Sequence, residues 1–215
     1  MTPASTRAGA VENGRIDRFE GHIAGIGTAS GTRLVIGRWD SSPFGAFTDV
    51  MMEDSAGVRT LLAPTREIAD YVGATYTFDD VVLLEIVSSL ESSRLLVDAG
   101  DLQVQAEVGP VTLLGRLLGV LPSRLATHPR WLALINPVAS LLVKGVATAG
   151  SAGNGRTEYY GVTSARSLTG ATASWRGSDL GTLAPVSPPV RFGFSSAPPR
   201  PQLVTVTTTI RRPGA

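Results

Sequence analysis

The chain has 215 residues, enough to bury a sizeable core as one domain without stabilising disulfides or metal. It contains no cysteine, which excludes disulfides, thiolate zinc sites and cysteine nucleophiles and fits a reducing compartment. Its 19 basic and 18 acidic residues nearly cancel, and no basic cluster exceeds Arg211-Arg212, so we expect no nucleic-acid partner.

Residues 1–14 predict a disordered leader, because they lack the apolar core of a signal peptide. We therefore expect a cytoplasmic protein whose single domain spans 15–212. The apolar stretch 131–143 is interrupted by Pro137 and is shorter than the roughly 20 residues that cross a bilayer. No transmembrane segment is expected.

The first half of the domain has the pattern of an antiparallel meander, in which apolar runs are separated by turns rich in Gly, Ser and Asp. These runs predict strands at 15–28, 33–39, 46–53, 58–63, 81–90, 94–99 and 102–108. After the fourth run, Thr65 is expected to cap a short helix over 66–74, since Ile68, Tyr71 and Val72 share one helical face.

The pattern changes at Gly109-Pro110. Over 110–143 the period of two is lost and each segment opens with a proline, which is tolerated in the first turn of a helix. This predicts a helical insert of two or three short helices. After a glycine-rich turn, strands are predicted at 156–163, 167–175, 190–194 and 203–210.

The predicted order of strands, then helices, then strands is typical of an α+β fold. The sequence therefore predicts a predominantly antiparallel β fold, a barrel or a sandwich, with a helical insert at about 110–143.

Motifs for cofactors and metals give little support for such sites. The glycines of Gly25 to Gly31 have the spacing GxGxxxG and precede a predicted strand rather than a helix, so they do not predict a phosphate site. Neither a P-loop nor a GxSxG elbow occurs. The two histidines, His22 and His128, have no ligand partner at helical or strand spacing. We expect no metal and no cofactor.

The interval from Val108 to Thr157 contains no acidic residue but several arginines among many apolar residues. Such a segment suits the wall or lid of a pocket for an apolar or amphiphilic anion, because Arg can receive a carboxylate or phosphate. The predicted ligand contacts are Arg116, Leu117, Arg124, Arg130 and Trp131. A helix that packs into the core would show the same apolar stripe. Our leading hypothesis is a binding protein for a small molecule rather than an enzyme.

Lys144 supports an alternative. It is the only lysine and follows Leu141, Leu142 and Val143, and desolvation by such neighbours favours the neutral amine that Schiff-base enzymes need. Glu158, Tyr159 or Tyr160 are then candidate proton-transfer groups. The competing interpretation is a lysine whose stem covers apolar surface while its ammonium reaches water.

The distribution of charge supports a third hypothesis. Residues 1–107 hold 8 basic and 16 acidic side chains, whereas 108–215 hold 11 basic and 2 acidic ones. A basic face of this kind could dock on an anionic membrane surface or protein. The two halves could equally neutralise each other within one domain. The sequence does not predict an oligomeric state.

Four sequence segments resemble those of a known protein family: GTASGTRLVIGRW at 27–39, SPFGAFTDVMME at 42–53, GSAGNGRTEYYG at 150–161 and PPVRFGFSS at 188–196. With them, the chain resembles a family of actinobacterial proteins without an assigned function, over most of 15–210. The resemblance implies no activity and no site residue. The predicted β-rich shape is also loosely similar to barrels of the lipocalin and acetoacetate decarboxylase types, although the motifs of neither family occur.

Overall fold

The computed structural model of the protein describes residues 15–119, 149–151, 153–193 and 197–212. Over these residues it confirms a predominantly antiparallel β fold with short helices. The strands are β1 (Ile16–Thr28), β2 (Arg33–Ser41), β3 (Phe47–Glu53), β4 (Arg59–Ala63), β5 (Asp80–Leu83), β6 (Val87–Glu91), β7 (Arg94–Ala99), β8 (Leu102–Val111), β9 (Ala149–Ser151), β10 (Thr157–Trp175), β11 (Ser178–Ala184) and β12 (Gln202–Arg211). The α-helices are α1 (Arg66–Gly73) and α2 (Leu113–Gly119), and a 3-10 turn covers Gly153–Gly155.

The strands form one sheet in the order β5-β4-β3-β2-β1-β11-β10-β8-β7-β6. β12 pairs with the first parts of β1 and β10, whose last residues pair with β11. β9 also pairs with β10. Among the described pairs only β4 and β5 run parallel. The sheet curls until its two ends meet. Residues 84–86 connect β5 directly to β6, and the Thr48 hydroxyl of β3 lies 2.7 Å from the Ser88 hydroxyl of β6. The result is a closed barrel core.

The barrel core is filled by alternate side chains of the curled sheet. Ile26, Leu34 and Val50 from β1, β2 and β3 pack with Leu95 and Leu102 from β7 and β8, and all five are 1% exposed or less. Burying one such side chain contributes about 1.5–3 kcal/mol. This contact across the barrel holds the curled sheet closed.

The opposite face of β1 to β4 carries a second core. Val35, Met51 and Leu61 pack there against Ile68 of α1 and against Phe192, from the segment that precedes β12. The helix begins as predicted, because the Thr65 hydroxyl accepts a hydrogen bond from Ile68 N at 3.3 Å. Both faces of these strands are therefore covered.

A buried ion cluster fixes the segment before β12 to the sheet. Glu53 is fully buried, and its carboxylate lies 3.3 Å from Arg33 Nη2 and 2.9 Å from Arg191 Nε. It also accepts a 2.7 Å hydrogen bond from Arg191 N. Arg33 donates further to the carbonyls of Pro188 and Asp54. Each buried charge is thus paired.

Ion pairs join the acidic and the basic half of the chain. β1 of the first half pairs with β12 of the second, and β8 pairs with β10. The pairs that bridge the halves in the described residues are Asp17–Arg212, Glu53–Arg191 and Asp101–Arg176. Such interleaving favours local neutralisation over a single basic docking face. Docking on a membrane or protein surface stays a prediction.

One predicted strand in the first half was wrong, and the helical insert predicted at about 110–143 has its first helix at Leu113. The run 81–90 is not one strand, because β5 pairs with β4 at one end of the sheet whereas β6 pairs with β7 at the other. No glycine or proline marks this change of partner. The helical insert begins later than residue 110, since β8 extends to Val111 and α2 covers Leu113–Gly119. The remainder of the predicted insert lies outside the described residues.

Two predictions in the second half were also wrong, and one strand was missed. The runs 156–163 and 167–175 form the single strand β10, whose ladders with β12 and β8 shift register at several points, so that it bends without breaking. Over 190–193 the chain forms no strand, although Val190 and Phe192 are buried. β11, rich in Ser, Asp and Gly, was not predicted. None of the helices described here has the length and apolar character needed to cross a membrane.

Candidate functional site: an aromatic pocket with two buried carboxyl groups

A cavity of about 50 Å³ lies on the second face of the sheet, between β1 to β3, α1 and the adjoining ends of β10 and β12. We call it the aromatic pocket. Its lining consists of Phe19, Ile23, Val35, Gly37, Trp39, Phe47, Asp49, Met51, Tyr71, Val72, Thr75, Tyr76, Glu158, Tyr160, Thr208 and Ile210. Because a water needs roughly 10–15 Å³ of such space, the cavity fits a molecule of only a few heavy atoms.

Strand register brings these side chains to one face. In the β2–β3 ladder Val35 opposes Met51, Gly37 opposes Asp49 and Trp39 opposes Phe47. On β12, Thr208 opposes both Phe19 of β1 and Tyr160 of β10. Since alternate residues of a strand share a face, the period of two aims all of them into the same space.

Aromatic rings form one wall of the pocket. The Phe19 ring lies at the centre of the group, with its centroid 5.5 Å from those of Trp39 and Tyr71 and 6.4 Å from that of Phe47. The contacts with Trp39 and Phe47 are edge-to-face. Each such pair stabilises the fold by about 0.5–1.5 kcal/mol beyond the contribution of its buried area, so this wall is firmly packed.

Glu158 forms the centre of a polar group at the end of β10. It is 1% exposed, and Tyr76 Oη lies 2.8 Å from each of its carboxyl oxygens. Tyr160 Oη lies 2.6 Å from Tyr76 Oη and also hydrogen-bonds with Glu158. Burial raises the pKa of Glu158 to about 7, against the opposing effect of the two hydroxyl groups.

The number of hydrogens available to Glu158, Tyr76 and Tyr160 agrees with a raised pKa for Glu158. Two hydroxyl groups supply two hydrogens for three pairs of side chains in contact: Tyr76 with Glu158, Tyr160 with Glu158, and Tyr76 with Tyr160. The third contact gains a hydrogen when Glu158 carries its proton. Glu158 is therefore suited to hold a proton in this pocket near neutral pH and to release it when the charge in the pocket changes.

Asp49 provides a second carboxyl group. It is 5% exposed and accepts a 3.0 Å hydrogen bond from Trp39 Nε1. Burial raises its pKa to about 7, although the Trp39 bond acts in the opposite direction. Gly37 makes room for this arrangement, because a Cβ there would lie 2.7 Å from Asp49 Oδ1.

A charged cluster fixes the helical side of the pocket. Tyr71 of α1 donates a 2.8 Å hydrogen bond to Asp17, which is also paired with Arg212. The Arg156 guanidinium lies 4.6 Å from the centroid of the Tyr71 ring and donates to Thr75 Oγ1 at 2.8 Å. Burial and the Asp17 carboxylate raise the pKa of Tyr71, so its hydroxyl stays protonated. This cluster fixes α1 against the start of β1, the start of β10 and the end of β12.

Neither of the two predicted contact residues in the described part of the chain lines this pocket. Arg116 and Leu117 lie on α2 with exposed side chains, and neither lines the cavity. Arg124, Arg130 and Trp131 lie outside the described residues, as do Lys144 and His128. Those contacts stay a prediction. Of the predicted proton-transfer groups, Glu158 and Tyr160 do line the pocket, whereas Tyr159 does not.

Sequence reasoning did not identify Trp39, Asp49 and Tyr76 as one group. The spacing of two residues between Asp49 and the apolar residues Phe47 and Met51 was a usable signal. It places a carboxyl group on the same buried face as two apolar side chains. The contact of Tyr76 with Glu158 spans 82 residues, so no local pattern could show it. Over the described residues no cluster of His, Asp and Glu is arranged to hold a metal ion.

Comparisons with known proteins give distant structural similarity. No protein-family model and no curated protein matches the sequence. Among solved structures, an acetoacetate decarboxylase from Legionella pneumophila matches with a TM-score of 0.41 and 12% identity, over 99% of this chain and 97% of that one. A putative AttH from Nitrosomonas europaea matches with a TM-score of 0.28 and 12% identity, and this chain covers 59% of its length.

Proposed function

We propose that this protein binds a small apolar or amphiphilic molecule in the aromatic pocket. The observation that carries the proposal is the pair of buried carboxyl groups, Glu158 and Asp49, which line a cavity whose wall is mainly apolar and aromatic. A buried carboxylate without a cationic partner costs free energy, which a bound ligand can offset. A concave, mainly apolar site with a few polar groups is the usual form of a ligand site.

Thr208 supports the same proposal. It is 3% exposed, lines the pocket and has a hydroxyl oxygen that finds no hydrogen-bond partner among the described residues. Leaving such a group unpaired costs about 1–3 kcal/mol, which a ligand can recover. The described lining contains no Lys or Arg, so an anionic head group would depend on the predicted contacts of Arg124 and Arg130, which lie outside the described residues.

A tyrosine pair tests the location of the site. We expect Tyr160→Phe to weaken ligand binding about fivefold, the equivalent of one hydrogen bond of about 1 kcal/mol, because it removes a hydroxyl from the pocket but keeps the ring. Tyr159→Phe is the matched control, since the neighbouring side chain does not line the pocket. Thermal shifts and native mass spectrometry with short-chain alcohols, acids, amines and ketones provide the measurement.

The outcomes separate clearly. A ligand that stabilises the wild type and the Tyr159→Phe variant more than the Tyr160→Phe variant places binding in the aromatic pocket. If no compound in the panel raises the melting temperature and none copurifies with the protein, the binding proposal is wrong.

A Schiff-base enzyme is the second candidate function, and one observation favours it. Glu158 and Tyr160, proposed as proton-transfer groups for this chemistry, lie together in a buried pocket, and burial brings the Glu158 pKa to about 7, where a general acid or base is most effective. In this proposal the Lys144 amine adds to a substrate carbonyl and water leaves to form an imine.

Borohydride trapping tests the enzyme candidate. Hydride reduction of the imine gives a stable secondary amine, so we expect the protein mass to rise by that of the carbonyl compound less one oxygen atom. Lys144→Arg is the control, because its guanidinium keeps the charge but does not form the adduct. Small aldehydes, ketones and keto acids suit the cavity. If none of them modifies the wild type, or if the variant is modified equally, Lys144 is not a Schiff-base lysine.

A further inference from the structure

We infer that the aromatic pocket takes a small organic cation, a primary amine or alkylammonium ion of a few heavy atoms. This inference rests on the proposed binding function and names the chemical class of the ligand. It depends on three features of the pocket: its uncompensated carboxyl groups, its unpaired hydroxyl and its aromatic wall.

The carboxyl groups have no cationic partner in the part of the chain that the structure describes. The ion pairs found there leave out both Asp49 and Glu158, which instead accept hydrogen bonds from Trp39 and from Tyr76 and Tyr160. By contrast, the buried Glu53 and Asp17 are each paired with arginine. Two buried acids that face one cavity without a counter-ion provide a site where a cation gains more electrostatic free energy on binding than a neutral or anionic ligand.

The oxygen acceptors match the donors of an ammonium group. A primary ammonium has three N–H donors and no acceptor. The lining offers the carboxylates of Glu158 and Asp49 and the Thr208 hydroxyl oxygen, which is buried and without a partner in the described residues. An anion would meet the same carboxyl groups as like charges, and an alcohol would use only part of the acceptor set.

The aromatic wall suits the same class of ligand. Rings of Phe19, Trp39 and Phe47 contact one another beside Asp49, and all three line the cavity. A cation within about 6 Å of an aromatic face is attracted by the ring quadrupole, most strongly by Trp. The alkyl part of the ligand would pack on Ile23 and Val35.

Protonation couples to binding in a defined direction. The titratable side chains that line the pocket in the described residues are Asp49, Tyr71, Tyr76, Glu158 and Tyr160. Burial keeps Tyr71 and Tyr76 protonated and brings both carboxyl groups to a pKa of about 7. Because the cation binds their ionised forms, its affinity should rise from pH 6 to pH 8 by about tenfold for each carboxyl group that must ionise.

Three probes of nearly equal size test the inference: propylammonium, 1-propanol and propionate. The signal is the Trp39 indole N–H resonance, whose donor lies 3.0 Å from Asp49 Oδ1. We expect propylammonium to shift this resonance with a Kd at least about tenfold below those of the other two probes. If propanol or propionate binds equally or better, the ligand is not a cation, although the proposed binding function stands. If none of the three binds, whereas other compounds stabilise the protein, the inference is also wrong.

Charge-removing variants provide an independent test. Glu158→Gln and Asp49→Asn should each weaken propylammonium binding by about tenfold or more while changing 1-propanol binding by less than about twofold. The exposed Glu85→Gln is the matched control. The two pocket variants are alternatives if one fails to fold, as judged by circular dichroism. Equal losses for the ammonium and the alcohol would show only a change of shape and would overturn the inference.

Discussion

Glu53→Ala should lower the free energy of unfolding by about 3–5 kcal/mol, the usual cost of removing one partner from a buried ion pair. The Arg33 side chain is 4% exposed and cannot return its charge to water when Glu53 is lost. It would keep its bonds to the carbonyls of Pro188 and Asp54 but lose its only carboxylate among the described residues. Urea denaturation measures the change.

Arg191→Ala is the matched control for this cluster. The Arg191 side chain is 69% exposed, so its pair with Glu53 is partly solvated and should contribute about 1 kcal/mol or less. Glu53→Gln keeps the volume of the side chain and separates loss of charge from loss of packing. Should Glu53→Ala cost no more than Arg191→Ala, the cluster does not hold the segment before β12 in place.

The order of β1 to β4 and α1 could be predicted because these elements depend on local signals. Gly and Ser mark the turn before Arg33, and the cap at Thr65 needs only the next three residues. The split between β5 and β6 depends instead on which strand lies beside each run. That partner is fixed by the closure of the barrel, a contact between distant segments that the period of two does not encode.

The pocket could be predicted only in part, and for the same reason. Glu158 and Tyr160 are two residues apart on one strand, so the sequence places them on one face. Their partner Tyr76 follows α1, and Asp49 comes from β3. These groups meet because the fold brings β10 and β12 next to β1, a pairing that spans most of the chain.

The buried carboxyl groups make stability depend on pH in a direction opposite to that of most paired acids. Burial raises the pKa of Asp49 and of Glu158 to about 7, whereas in the unfolded chain both are near 4. The folded state therefore binds more protons between about pH 4 and 7, and this contribution to stability is lost as pH rises through that window. Each group should lower the free energy of unfolding by up to about 1.4 kcal/mol per pH unit.

Urea denaturation at about pH 5, 6 and 7 tests this dependence in four proteins: the wild type, Glu158→Gln, Asp49→Asn and the exposed control Glu85→Gln. Neutral Gln and Asn do not titrate, so each pocket variant should show a smaller loss of stability between pH 5 and 7 than the wild type. The Glu85→Gln variant should follow the wild type. Parallel curves for all four proteins would mean that Glu158 and Asp49 titrate alike in the folded and unfolded chain, and that the pocket does not hold their protons.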